Sequence, residues 1–284
     1  MMNPTAIITG VSRGLGLCLA RRFWIDGYSV VLIGRYLEEL NTLIHDLPHR
    51  LSQVATPISC NLEVPSDVEE CLKSIGQSVP RVDVLVNNAA VQGPIGRLVE
   101  TDSASWQRTI QVNLLAPVAL CKGVVPLMKQ SGGGSIVNLS GGGAAGPRPN
   151  FAAYATTKAA LVRFSETIAQ ELRSDRIRVN CVAPGAMNTL MTKQILSQSE
   201  AAGQSETLAA KEVSEGGSAA MDRAADLVLF LASRASDGIT GRLISAVWDS
   251  WEKWPQHLDE LTETDLYTLR RITCRDRALS WGDK

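Results

Sequence analysis

The chain has 284 residues, enough for one large α/β domain or two small ones. Hydrophobic residues make up 45% of it, charged ones 20%, and the formal net charge is −1. That is the balance of a soluble globular protein, and it argues against the broad basic surface that nucleic acid or an anionic membrane would require.

The start, MMNPTAIITG, enters a strand-like run at once and has no basic segment followed by an apolar core, so no secretory signal is expected. No stretch approaches roughly 18 uninterrupted apolar residues, so no transmembrane helix is expected. In chain order, TAIITG (5–10) and SVVLIGR (29–35) read as buried strands. VATPISC (54–60) is a weaker one, with Pro57 pointing to an edge. VDVLVNNA (82–89), SIVNLS (135–140), IRVNCVAP (177–184) and RLISAVW (242–248) complete the set. Helical patterns fall near 14–26, 36–47, 66–78, 103–130, 154–173 and 222–234. Apolar strands separated by helices predict a doubly wound parallel sheet, a three-layer Rossmann-type α/β fold.

Six cysteines are scattered without CxxC spacing, and the three histidines stand far from any cysteine cluster. Neither a metal site nor a disulfide framework is expected. The thiols read as small buried apolar groups in a reducing cytoplasm.

TGVSRGLG places Gly10, Gly14 and Gly16 directly after the first strand, where a helix starts. Glycines there allow a tight turn and let backbone N–H groups approach a pyrophosphate at the helix N-terminus. The second strand ends in Gly34 and Arg35, where an NAD-preferring site would have an acidic residue. A guanidinium suits a 2′-phosphate, and Arg13 can assist it, so NADP(H) is favoured. NAD(H) is the alternative should Glu38, one helical turn on, fold back to the ribose. Tyr154 and Lys158, at i and i+4, share one helix face. A free phenol, with a pKa of roughly 10, is a poor base, and a nearby cation would lower that value.

These motifs in order, TGVSRGLG (9–16), NNAA (87–90), Asn113 in QVNLLAP, SIVNLS (135–140), YATTK (154–158) and PGAMNT (184–189), resemble the single-domain branch of the short-chain dehydrogenase/reductase family. The resemblance covers roughly residues 5–245. It implies an oxidoreductase that interconverts a ketone and a secondary alcohol by hydride transfer. Tyr154 would be the general acid/base, Lys158 the ribose ligand that depresses the tyrosine pKa, and Asn113 the holder of a relay water. Gly10, Ser12, Arg13, Gly14, Leu15 and Gly16 would hold the pyrophosphate end of the cofactor, with Arg35 at the 2′-position. Asn61, Leu62, Asn88, Ala89 and Ala90 would line the adenosine side. Pro184, Gly185, Met187 and Thr189 would contact the nicotinamide half, together with Tyr154 and Lys158. A small-molecule carbonyl or alcohol substrate and a homo-oligomer, dimer or tetramer, are expected partners.

The pattern is broken in one place. The family carries a serine thirteen residues before the tyrosine, and here that position is Gly141, with Ser140 one residue earlier. Either Ser140 takes the role, or backbone N–H groups of the glycine run do, or the site is weakened. The last option keeps a second reading open, a dinucleotide-binding sensor or assembly protein with little redox activity. Ala90 stands where the NNAG signature ends in glycine, and Asn61 where an aspartate is usual.

Residues 1–248 are expected to form one domain in which 186–221 act as a helical lid, with EGG (215–217) breaking the chain before the next helix. Residues 249–284 are expected to form an extension packed on the domain or at a subunit interface. Trp248, Trp251 and Trp254 recur every third residue, which suits a packing stripe, an interface or a substrate-lining role. LYTLRRI (266–272) reads as a short amphipathic helix.

Overall fold

The seven β-branched runs form strands whose alternating side chains feed two separate cores. In the computed structural model, which describes residues 3–216 and 219–281, they are β1 (Thr5–Thr9), β2 (Ser29–Gly34), β3 (Ala55–Ser59), β4 (Val84–Asn87), β5 (Gly134–Leu139), β6 (Ile177–Ala183) and β7 (Leu243–Ser245). All pair in parallel, in the order β3-β2-β1-β4-β5-β6-β7. The helices are α1 (Gly14–Ile25), α2 (Leu37–His45), α3 (Pro65–Ser78), α4 (Ser103–Ile110), α5 (Ala116–Gln130), α6 (Ala152–Glu171), α7 (Leu190–Ser197), α8 (Ser199–Ala202), α9 (Gln204–Glu215), α10 (Ala219–Ala232) and α11 (Leu258–Glu263).

Because side chains alternate along a strand, Ile8, Leu32, Val86, Val137 and Val182 join one core with Leu19 and Phe23 of α1 and Val228 of α10. Ile7, Val31, Leu85, Ile136 and Val179 join the opposite core with Ile75 of α3 and Leu120 and Val124 of α5. Each such fully buried side chain contributes roughly 1.5–3 kcal/mol. The strand order reverses between β1 and β4, which opens a crevice at their C-terminal ends. β3 is an edge strand, the place in a sheet that tolerates Pro57, which has no N–H to donate to a ladder.

Two segments depart from expectation. The helix expected over 103–130 is divided by a π-helical turn, Gln111–Leu115, between α4 and α5. The cause is Asn113, fully buried, whose side chain bonds the backbone of Val91 in both directions. LYTLRRI is not helical. Tyr267 adopts φ 60°, its carbonyl accepts the Leu243 N–H at 2.8 Å along the free edge of β7, and the Leu269 N–H donates to Glu166 of α6 at 2.6 Å. Those partners lie on β7 and α6, and holding both in a turn outweighs the helical pattern.

Of the tryptophans, Trp251 and Trp254 lie in a 3-10 turn (Trp251–Gln256) and are buried in the α1/α10 core. Trp251 packs on Phe230 with ring centroids 5.2 Å apart, and Trp254 on Tyr267 at 4.3 Å. Trp248 is 86% exposed. The expected break at EGG falls partly on Gly217, outside the described residues.

Candidate active site

The crevice begins where β1 ends. Gly10 takes φ 71°, open to glycine at no cost, and a Cβ there would sit 2.9 Å from the Ala89 Cα. Asn88 ties the turn down by donating from Nδ2 to the carbonyls of Thr9 (2.9 Å) and Gly10 (3.2 Å). The Thr9 hydroxyl accepts from the backbone N–H groups of Asn88 and Ala89, both at 3.0 Å. α1 then starts at Gly14 with no acidic residue in its first turn, so nothing neutralises its positive end.

From this turn one continuous cleft of about 690 Å³ runs across the C-terminal ends of the strands. Gly10, Ser12, Arg13, Gly14, Leu15 and Gly16 line its start, and Arg35, Asn61, Leu62, Asn88, Ala89 and Ala90 its middle. Ser140, Tyr154, Lys158, Pro184, Met187 and Thr189 line the far end. Gly185 and Gly141 do not line it, and the buried Asn113 stands behind it. Arg13 and Arg35 are both exposed, and neither forms an ion pair among the described residues. Glu38 is exposed on α2 and does not pair with Arg35. The Asn61 Oδ1 accepts the Glu63 N–H at 3.2 Å, which spends one of its two lone pairs within the turn. Its length and the close-approach glycines fit a nicotinamide dinucleotide.

At the far end, α6 presents Tyr154, Thr157 and Lys158 on its buried face. The Lys158 Nζ donates to the Leu139 carbonyl at the end of β5, at 2.6 Å, and lies 5.6 Å from the Tyr154 ring centroid. Burial pulls the Lys158 ammonium down to about 8. The phenol of Tyr154 is pushed above its ordinary range by burial and drawn back by the guanidinium of Arg148. The Lys158 ammonium and the Arg148 guanidinium stand at similar distances from the Tyr154 ring, 5.6 and 5.7 Å from its centroid, so two cations flank the phenol. Asn113 connects to the same helix through Thr157, its Nδ2 donating to the threonine hydroxyl at 3.3 Å.

The short chain dehydrogenase family model matches residues 4–200. The chain belongs to the short-chain dehydrogenase/reductase family. It is 31% identical over 245 residues to human (Homo sapiens) dehydrogenase/reductase SDR family member 4, covering 86% of each protein. The protein of the same name from Caenorhabditis elegans is 30% identical over 242 residues, covering 85% of this chain and 93% of that one. Among solved structures, L-sorbose reductase from Gluconobacter frateurii complexed with NADPH and L-sorbose is similar, with a TM-score of 0.75 and 29% identity over 86% of this chain and 95% of the other. NAD+-bound xylitol dehydrogenase gives 0.74 and 25% identity, covering 86% and 97%. The chain is thus a dehydrogenase/reductase by family.

Within this short-chain dehydrogenase/reductase, the break at Gly141 has a steric origin. A Cβ at position 141 would fall on the phenol oxygen of Tyr154, with ring carbons at 3.1 and 3.2 Å. The tyrosine hydroxyl occupies the space that a serine side chain would take. Ser140 is the neighbour that lines the cleft, and its hydroxyl is buried without a hydrogen-bond partner among the described residues. Gly141→Ser is therefore expected to displace the phenol and to lower kcat by on the order of tenfold or more, since a small misplacement of a reacting group is costly. Steady-state rates at saturating substrate check this, and a gain in rate would overturn it.

Sequence reasoning missed Arg148, Thr157 and Gln92. Arg148 stacks over Phe151, 4.0 Å from its centroid, and makes a two-pronged bond to Glu206 of α9 at 2.9 and 2.6 Å. The α7–α9 segment is further held by Asn150, which donates to the Ala202 carbonyl at 3.2 Å, and by the small core of Phe151, Ile195, Ala202 and Ala210. No local pattern marks Arg148, because its partner stands 58 residues away.

Proposed function

We propose that this short-chain dehydrogenase/reductase interconverts a ketone and a secondary alcohol with NADP(H), with Tyr154 as general acid/base. The observation that carries the reading is the single cleft joining the glycine turn to Tyr154 and Lys158. When bound, the dinucleotide supplies or accepts the hydride. The chain's own residues orient the reactants and handle the proton.

The phenol, kept protonated by burial, donates its proton to a carbonyl oxygen as negative charge develops there. In the reverse direction the phenolate, whose charge Arg148 and Lys158 favour, takes the alcohol proton and returns to the phenol. The Ser140 hydroxyl, an orphaned donor in the same cleft, is our candidate for the hydrogen bond that positions that oxygen. Lys158 would hold the ribose hydroxyls, and Asn113 a relay water behind the lysine. The glycine turn would seat the pyrophosphate at the start of α1.

Arg13 and Arg35 support the phosphorylated cofactor because neither guanidinium is neutralised by a carboxylate among the described residues. Arg35→Ala is expected to weaken NADPH binding by about 10- to 100-fold, the worth of a lost charge-assisted contact, and to leave NADH binding nearly unchanged. Fluorescence titration with both cofactors checks this; equal losses would reject the 2′-phosphate assignment. The activity itself is tested by NADPH oxidation across a panel of ketones. Consumption by the wild type but not by Tyr154→Phe supports the reading.

A further inference from the structure

The cleft holds a second orphaned polar group beside Ser140. Gln92 is 5% exposed, lines the cleft, and its Nε2 has no hydrogen-bond partner among the described residues. A buried amide end left unpaired costs about 1–3 kcal/mol, so it marks a group whose partner arrives with a ligand. Its backbone is held rigidly. The preceding residue, Val91, is clamped by Asn113 through bonds of 2.8 and 2.9 Å. The following residue, Gly93, leaves no room beside Thr109, whose hydroxyl lies 2.6 Å from where a Cβ would be. Asn113 also bonds Thr157, one turn after Tyr154 on α6, so one buried network fixes Gln92 and the tyrosine helix together. Such anchoring suits a group that must meet a ligand atom at a fixed place.

We infer that Gln92 is a specificity-determining residue that recognises a hydroxyl on the substrate, separate from the oxygen that Tyr154 serves. The substrate class is then hydroxyketones and the corresponding diols rather than simple ketones. A hydroxyl is the fitting partner because it both donates and accepts, and so complements either end of an amide. The cofactor's phosphates are an unsuitable alternative, since Gln92 stands beyond the NNAA segment, past the glycine turn that would seat them. This inference rests on the oxidoreductase reading above.

The test compares matched pairs, hydroxyacetone with acetone and 2-hydroxyacetophenone with acetophenone, as NADPH-dependent substrates of the wild type and Gln92→Leu. The wild type is expected to favour the hydroxyketone in kcat/KM by about tenfold or more, because a site built to bond a hydroxyl leaves its own amide unpaired against the analogue. Gln92→Leu is expected to reduce that preference to about twofold or less, with the rate on the simple ketone and the affinity for NADPH kept. The melting temperature of the ligand-free variant should be unchanged or higher, since an unpaired buried amide has been replaced by an apolar group. A merely structural glutamine would instead lower the melting temperature and slow both substrates equally, which overturns the inference. So does an absent preference in the wild type, a preference that survives in Gln92→Leu, or a loss of NADPH affinity. If the wild type binds NADPH but consumes it with neither member of either pair, the ketone reading falls, and this inference with it.

Discussion

Tyr154→Phe is expected to lower kcat for carbonyl reduction by on the order of 10²–10⁴, the usual worth of a positioned general acid. NADPH affinity should stay within about threefold, well under 1 kcal/mol. The separation follows from what the substitution removes. The ring is 7% exposed and packs beside Arg148, whose guanidinium lies 5.7 Å from its centroid. Phenylalanine keeps that ring and its volume, so the fold of α6 and the position of Lys158 should persist. Only the hydroxyl is lost, and no group among the described residues accepts from it. Single-turnover rates and a fluorescence titration of cofactor measure the two effects independently. Turnover retained in the variant would remove the tyrosine from the chemistry.

Gly16→Ala should act at the other end of the cleft, on binding and folding rather than on proton transfer. A Cβ at position 16 would collide with the Gly10 carbonyl oxygen, and would stand 2.8 Å from the Gly10 carbonyl carbon and 2.6 Å from the Asn88 Nδ2. The Gly10 atoms are backbone, and Asn88 is pinned by two bonds, so neither can yield cheaply. Overpacking of this kind costs about 1–3 kcal/mol, and the glycine turn would open away from β4. We expect a fall in melting temperature of several degrees and a loss of NADPH affinity of on the order of 100-fold, because the displaced N–H groups are those aimed at the pyrophosphate. Gly76→Ala in α3 is the control. A Cβ there meets nothing within 4 Å, and the change should stabilise by up to about 1 kcal/mol. Both variants behaving alike would show that the contact at Gly16 is not what limits substitution.

Much of the scaffold was legible because its cause is local. Strand residues that alternate between two cores, a proline that keeps β3 at the edge, and a glycine turn after β1 are consequences of residue type and spacing over a few positions. The tail was read less well. The periodicity of LYTLRRI suggested a helix, whereas Leu243 of β7 and Glu166 of α6 hold it in a non-helical turn. The long apolar stretch over 103–130 likewise carried no sign that Asn113 would reach Val91 and insert a wide turn.

The candidate site divides in the same way. Tyr154, Lys158 and the glycines were legible because six motifs follow one another in the order of the short-chain dehydrogenase/reductase family; the four-residue interval or the glycine turn alone would have said little. The second cation near the phenol was not legible, because Arg148 is held in place by Glu206 of α9, 58 residues away. Gln92 was invisible for a related reason: an amide is unremarkable in a sequence, and its lack of a partner exists only once the surrounding chain has closed over it.

The sequence by itself therefore determined the doubly wound sheet, through the burial of alternating side chains, and it supplied the glycine turn and the tyrosine–lysine pair, whose meaning came from the ordered set of family motifs. Only the tertiary structure decided that the phenol of Tyr154 fills the space beside Gly141, that Arg148 joins Lys158 near its ring, and which polar groups in the cleft remain unpaired. Those properties depend on distances and desolvation that arise once the chain has closed, and no local pattern encodes them.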